Sequence, residues 1–168
     1  TRLTITNSAQ MELFENGSCH EISVTKRRDH RVFKNHDPRG IRFGNMWLDE
    51  YLEKAQIKEP FIVRRLLAEQ DWRAFEDRYG VGGCAAYAPL SMTGLVLYGM
   101  MQGVETLRGL ERLARMDVGC MWVTGGITPD HATIGRFVTL HGDVLSGEFF
   151  ESLTKVVLEK TGSGTGSL

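Results

Sequence analysis

The segment that decides the fold covers residues 98–141 and reads YGMMQGVETLRGLERLARMDVGCMWVTGGITPDHATIGRFVTLH. Its apolar residues recur every three or four positions, and a glycine pair at 125–126 interrupts the pattern. This spacing is typical of short amphipathic helices that are joined by tight turns. We therefore predict three consecutive helical pieces, over residues 105–117, 119–124 and 129–141.

The helical pattern continues on both sides of this segment. Apolar spacing and proline positions predict further helices over residues 46–57, from Pro60, after Asp71, over 90–102 and over 144–160. Together these predictions give a mainly α protein, with a compact helical domain over residues 46–161 and a helix-turn-helix-like segment inside it.

The N-terminal residues 1–45 differ from the rest in charge and in pattern. Short β-favouring runs at 3–6 and 11–14 allow either a small hairpin or a mobile arm. Residues 26–42 hold seven Lys or Arg and two Asp, a net charge of +5 with His neutral, and Pro38 and Gly40 exclude a helix interior. We predict a basic arm that is partly disordered or forms a hairpin.

The bulk composition bounds the class of protein. A formal net charge of −1 over 168 residues means that any DNA surface must come from an uneven charge distribution. Cys19, Cys84 and Cys120 form no C-x-x-C pair, so we expect no structural zinc site and reduced thiols in a cytoplasmic protein. The apolar stretch at 90–101 is too short to cross a bilayer, so we expect no membrane partner. No G-K-[ST] follows the glycine pair at 125–126, so it is not a phosphate loop, and we expect no small-molecule substrate.

Polar residues on the predicted helices suggest contacts with DNA. With Thr128 as N-cap and Pro129 as the first residue, the last helix of the segment would expose basic and hydroxyl side chains beside free backbone N–H groups. The residues that we predict to contact DNA are Arg136, His131, Thr133, Thr139, Arg108, Arg112, Arg115, Lys26, Arg27, Arg28 and Arg31.

Each of these features also has a plain structural interpretation. The stripe of Arg108, Arg112 and Arg115 alternates with acids, so a solvated face with i, i+4 ion pairs explains it equally well. Asp130 would repel phosphate and fits a residue at a helix start. No Asp or Glu of the chain lies on a predicted β-strand beside a second carboxylate, so we assign no catalytic residue and no metal ligand.

A set of residues occurs in a fixed order between positions 87 and 137: Tyr87, Pro89, Leu95, Leu97, Tyr98, Gly99, Gly103, Val104, Arg108, Leu110, Glu111, Asp117, Trp122, Thr124, Gly125, Gly126, Pro129, Asp130, His131, Ile134, Arg136 and Phe137. In these residues and their order, the chain resembles the N-terminal domain of an insertion-sequence transposase of the DDE type. Thr106 stands where such domains usually have Ser, and looser similarity extends the match over residues 46–168.

The resemblance implies a role in bacterial DNA transposition, in the cytoplasm and on the nucleoid. It implies binding to double-stranded DNA at the terminal inverted repeats, and a homodimer as one expected assembly. It also implies that residues 162–168, GSGTGSL, are a linker to a missing catalytic domain of RNase H-like fold. There, carboxylates would hold Mg²⁺, and no cofactor is expected in the present chain.

Three hypotheses remain open from the sequence. The first is the sequence-specific DNA-binding domain of a transposase. The second is a protein–protein module that assembles the transposase, with Met92, Tyr98, Met100 and Met101 as interface residues. The third is a stand-alone helical regulator.

Overall fold

The computed structural model describes residues 24–26, 32–80 and 85–162. Short strands form two small sheets: β1 pairs antiparallel with β2, β2 pairs in parallel with β5, and β3 pairs antiparallel with β4. The strands are β1 (Val24–Lys26), β2 (Val32–Lys34), β3 (Arg42–Phe43), β4 (Met46–Trp47) and β5 (Ala86–Tyr87). The predicted runs at 3–6 and 11–14 lie outside the described residues.

Helices make up most of the described chain, which confirms the predicted mainly α fold with a small strand arm. A 3-10 turn at Pro38–Gly40 follows β2. The helices are α1 (Leu48–Lys54), α2 (Glu59–Ala68), α3 (Arg73–Glu76), α4 (Pro89–Met101), α5 (Leu107–Met116), α6 (Val118–Thr124), α7 (His131–Leu140), α8 (Gly142–Leu145) and α9 (Glu148–Thr161). None of the helices in the described part of the chain has the length and hydrophobicity of a membrane span.

The first predicted helix, 46–57, is shorter in the structure. Met46 and Trp47 belong to β4, because the Gly44 turn (φ 68°) folds this stretch back onto β3. The α1 helix therefore begins only at Leu48, whose N–H donates to the Ile41 carbonyl over 2.9 Å.

Side-chain caps fix where the three central helices begin. The hydroxyl of Thr106 caps α5, and the carboxylate of Asp117 caps α6 by accepting the Cys120 N–H over 2.8 Å. The predicted cap of α7 at Thr128 is wrong. Asp130 caps this helix, because its extended backbone (ψ 165°) lets the carboxylate accept the Thr133 N–H over 2.7 Å. Pro129 thus precedes the helix.

The α4 helix runs through the centre of the core. Its buried residues occur on all its sides, as expected for a helix surrounded by others. It packs against both α2 and α6 at Gly94, where an added Cβ would lie 3.0 Å from Leu67 Cδ1 and 3.0 Å from Val123 Cγ1. Glycine therefore allows the close approach of the three helices.

The turn after α6 joins distant parts of the chain. The Arg64 guanidinium donates to the Val123 carbonyl over 2.9 Å and to the His36 carbonyl over 3.3 Å. Gly125 has a positive φ of 82°, and a Cβ there would lie 2.7 Å from the His36 carbonyl carbon. Glycine is thus required at position 125 for two reasons: the positive φ disfavours other residues, and a side chain would collide with the His36 backbone.

Candidate nucleic-acid interface

A cleft of about 630 Å³ opens along α7, from the residues just before the helix to Leu140 at its end. We call it the α7 cleft; its walls come from β2, β5, α4, α5 and α7. Met92 (2% exposed) and Phe137 (4% exposed) belong to its lining, together with the half-buried rings of Tyr79 and Tyr87. The bottom of the cleft is therefore largely aromatic and apolar.

Positive side chains surround this cleft. Lys34, Arg115 and Arg136 all line it, whereas Asp130 supplies the one negative charge among the described lining residues. The Lys34 Nζ lies 5.1 Å from the centroid of the Tyr87 ring, a cation–π arrangement. The cleft therefore carries a net charge of +2 in a chain whose overall formal charge is −1.

Arg136 is positioned by its own helix. Its Nη2 donates to the Thr133 hydroxyl over 3.1 Å, one turn earlier in α7. Asp130 accepts the Thr133 N–H, and this hydrogen bond lowers the pKa of the Asp130 carboxyl. The start of α7 thus places a cation, a hydroxyl and an ionised carboxylate at one edge of the cleft.

A second polar cluster links α5 to α7 through Glu111. The Glu111 Oε2 accepts the His131 backbone N–H over 3.1 Å and lies 2.9 Å from His131 Nδ1. The Glu111 Oε1 lies 3.1 Å from Arg115 Nη2. The hydrogen bond from His131 lowers the pKa of Glu111, so this carboxylate stays ionised and holds both partners.

The predicted DNA-contact residues fall into separate groups. Arg136, Thr133 and Arg115 meet at the α7 cleft, and His131 is tied to Glu111 beside it. Thr139 is exposed on α7 but lies outside the cleft lining.

The remaining predicted residues do not join this cluster. Arg108 and Arg112 are exposed on α5, away from the cleft lining, and the structure describes no ion pair for either within its ranges. Among the described arginines Arg108, Arg112 and Arg115, only Arg115 forms an i, i+4 ion pair, which is the contact expected if these arginines belong to a solvated helix face. In the arm, Lys26 belongs to β1, and Arg27, Arg28 and Arg31 lie outside the described residues.

The structure adds residues to the site that the sequence prediction did not assign. Lys34 belongs to the basic stretch 26–42, and Tyr87 is one of the residues that carry the resemblance. Both could therefore have been suspected as site residues from the sequence. Tyr79 had no such signal. Phe33 and Lys34 are buried, and Phe33 pairs with Ala86 of β5, so this part of the stretch packs on the helical domain.

No group of three His, Cys, Asp or Glu side chains that could hold a metal ion occurs among the described residues. Asp117 and Asp130 each cap a helix with their carboxylates. Cys120 is fully buried, and burial raises the pKa of its thiol. These groups have structural roles in the fold.

Comparison with known protein families identifies the domain. The model of the transposase domain family DUF772 matches residues 50–140, more than half of the chain. The chain belongs to this family. No curated protein and no solved structure matches significantly.

The matched part of the transposase domain begins within α1 and ends with α7. It includes the turn at Gly125 and, from the cleft, Tyr87, Arg115 and Arg136. Lys34 and α9 lie outside it. The family membership confirms the transposase part of the resemblance, whereas the DDE class and the N-terminal position remain expectations.

Proposed function

We propose that this transposase domain binds double-stranded DNA at the terminal inverted repeats of its element, with α7 as the contacting helix. The observation that carries the proposal is the convergence of Lys34, Arg115 and Arg136 at one cleft beside α7. These residues come from three different elements, so the positive patch is a product of the fold and not of a single charged segment.

The exposed side of α7 suits a groove of DNA. Ala132, Arg136 and Thr139 are exposed at spacings of four and three residues, whereas Ile134 and Phe137 face the core. A helix of this size fits the major groove, where arginine can bind the O6 and N7 of guanine in a fork. Arg115, which is exposed on α5, would contact a phosphate beside it.

The proposed affinity has a clear electrostatic signature. Since each neutralised phosphate releases counterions, binding should weaken steeply as the salt concentration rises. The first experiment titrates the full chain with a duplex that carries the terminal repeat and with a scrambled duplex, each at two salt concentrations. Tighter binding to the repeat supports the proposal, and equal weak binding to both duplexes contradicts sequence-specific recognition.

A pair of arginine variants locates the interface. Arg136→Ala should weaken repeat binding by about 1–3 kcal/mol, the usual value of a bidentate base contact, and leave the unfolding curve nearly unchanged. Arg65→Ala is the matched control, because Arg65 is an exposed arginine on α2 outside the cleft lining. Equal losses in both variants would show a general charge effect and would remove Arg136 as a specific contact.

The cutting and joining of DNA would belong to another part of the transposase. We propose an RNase H-like domain that holds Mg²⁺ with carboxylates, since two-metal sites activate the attacking oxygen and stabilise the leaving oxygen. Purified full-length transposase should then cleave repeat DNA only with a divalent cation. The present chain should bind the same DNA in EDTA.

A second candidate function is the assembly of transposase subunits. Of the methionines and tyrosine that this hypothesis named, Met92 and Tyr98 are in the core, whereas Met100 is 53% exposed. Met100 lines a groove of about 710 Å³ together with Leu145, Phe150 and Leu158. Sedimentation of wild type and Met100→Lys tests this candidate: a dimer that the substitution dissociates supports it, and a wild-type monomer at high concentration rejects it.

A further inference from the structure

We propose that the α7 cleft holds one unpaired nucleotide of the DNA end, with its base on the aromatic floor and its phosphate at the arginine rim. This inference rests on the proposed function and names the part of the DNA that the cleft takes.

The shape of the site separates it from an ordinary duplex contact. A base pair inside a duplex presents only its edges to a helix in a groove. It cannot fill a concave site of about 630 Å³, a volume within the usual range of small-molecule sites. Only a base that has left the stack can reach the floor that Met92 and Phe137 help to form.

The cleft lining offers both kinds of contact that a nucleotide makes: aromatic rings for its base and positive charge for its phosphate. Half-buried Tyr79 and Tyr87 line the cleft. A base can stack on the part of these rings that is left open by their neighbours, Phe33 and His141 at Tyr79, and Lys34 and His36 at Tyr87. Arg115 and Arg136 are exposed at the rim. The Arg115 guanidinium can bind the phosphate of the nucleotide, while Arg136 contacts a neighbouring paired base. An apolar ligand would leave the arginines unused, and a bare phosphate would leave the rings unused.

The charges at the rim also orient the nucleotide. Asp130 stays ionised because its carboxyl pKa is lowered by the Thr133 hydrogen bonds, so it repels a phosphate from the start of α7. The phosphate is therefore directed to Arg115. The Thr128 and Thr133 hydroxyls line the same cleft and can hydrogen-bond to the edge of the base.

The experiment compares two duplexes that share the repeat sequence. One has a fully paired end, and the other has its last two nucleotides mismatched so that they are unpaired. Fluorescence anisotropy with the full chain should give an affinity ratio of about five or more in favour of the unpaired end, as expected for one stacked base.

Variants connect this ratio to the cleft. Tyr87→Leu should lower the ratio to about one, and Tyr87→Phe should keep it, because the phenyl ring still stacks. Tyr51→Leu is the matched control, since Tyr51 is a half-buried tyrosine that packs on Phe43 and does not line the cleft. A ratio near one in wild type overturns the inference, and so does an unchanged ratio in Tyr87→Leu.

A crosslink tests the same point without any substitution. The duplex carries 5-iododeoxyuridine at the unpaired position, and irradiation should attach it to a peptide that contains Tyr79, Tyr87 or Phe137. A crosslink to α9 or to the exposed face of α2 would overturn the inference. The proposed function fails separately: in that case neither duplex would bind better than scrambled DNA.

Discussion

Substituting alanine for Gly125 should destabilise the domain more than any other exchange of a positive-φ glycine for alanine among the described residues. Gly125 has φ 82°, and its missing side chain leaves room for the backbone of residue 36. An added Cβ would lie 2.7 Å from the His36 carbonyl carbon and equally close to its Cβ. The carbonyl cannot easily move, because its oxygen accepts a hydrogen bond from Arg64 over 3.3 Å.

The expected magnitude has two parts. An L-residue in the left-handed region costs about 1–2 kcal/mol, and forcing extra volume into a packed site costs about 1–3 kcal/mol. We therefore expect Gly125→Ala to lower the free energy of unfolding by about 3–4 kcal/mol. Gly103→Ala isolates the first part, since Gly103 has φ 73° and nothing within 4 Å of the added Cβ.

Urea denaturation followed by tryptophan fluorescence measures both variants, and Trp122 is buried one turn before Gly125. The reduced entropy of the unfolded chain affects Gly103→Ala and Gly125→Ala alike, so the difference between them reports the contact with His36. If Gly125→Ala costs no more than Gly103→Ala, the packing argument is refuted.

Three further predictions concern other parts of the fold. Burial lowers the pKa of His141 from 6.5 to about 4, so the folded state disfavours the protonated imidazole. The free energy of unfolding should therefore fall by up to about 3 kcal/mol as the pH is lowered from 6.5 to 4, and His141→Gln should reduce this fall in urea titrations at several pH values. Arg64→Met should cost about 2–3 kcal/mol in the same assay, because the carbonyls of Val123 and His36 lose a charged donor. Asp130→Ala should cost about 1 kcal/mol by removing the cap of α7, whereas Asp130→Asn should keep most of the stability and bind DNA more tightly.

Each of these predictions has an outcome that contradicts it. A flat pH profile for wild type from pH 6.5 to 4 would mean that His141 is not held neutral by burial. A stable Arg64→Met protein would show that its two hydrogen bonds are replaced by water. Weaker DNA binding by Asp130→Asn would place this carboxylate in contact with the DNA bases.

Most of the secondary structure of this protein could be predicted from its sequence. Apolar spacing located α5, α6 and α7 to within two residues, because the amphipathic period and the nearby turns act over a few positions. Errors occurred where two local signals competed. Thr128 followed by Pro129 imitated a helix start, but the carboxylate of Asp130 reaches the Thr133 N–H and determines the real one.

The family was also evident from the sequence, for a related reason. Residues such as Trp122 and Gly125 are required by the core and by a turn, so their order along the chain identifies the domain. They say little about the surface. Of the predicted DNA contacts, Arg115, Thr133 and Arg136 come together at one cleft, whereas Arg108 and Arg112 lie apart from it.

The sequence by itself therefore determined the mainly α class, the approximate positions of most helices and the transposase family of this protein. Only the tertiary structure decided that Lys34, Tyr87 and Arg136 share one cleft, although residues 34 and 136 are 102 positions apart. That juxtaposition depends on the pairing of β2 with β5 and on the packing of α7 against the core. Periodicity contains no information on such long-range contacts, because it reports which side of an element is buried and not which element covers it.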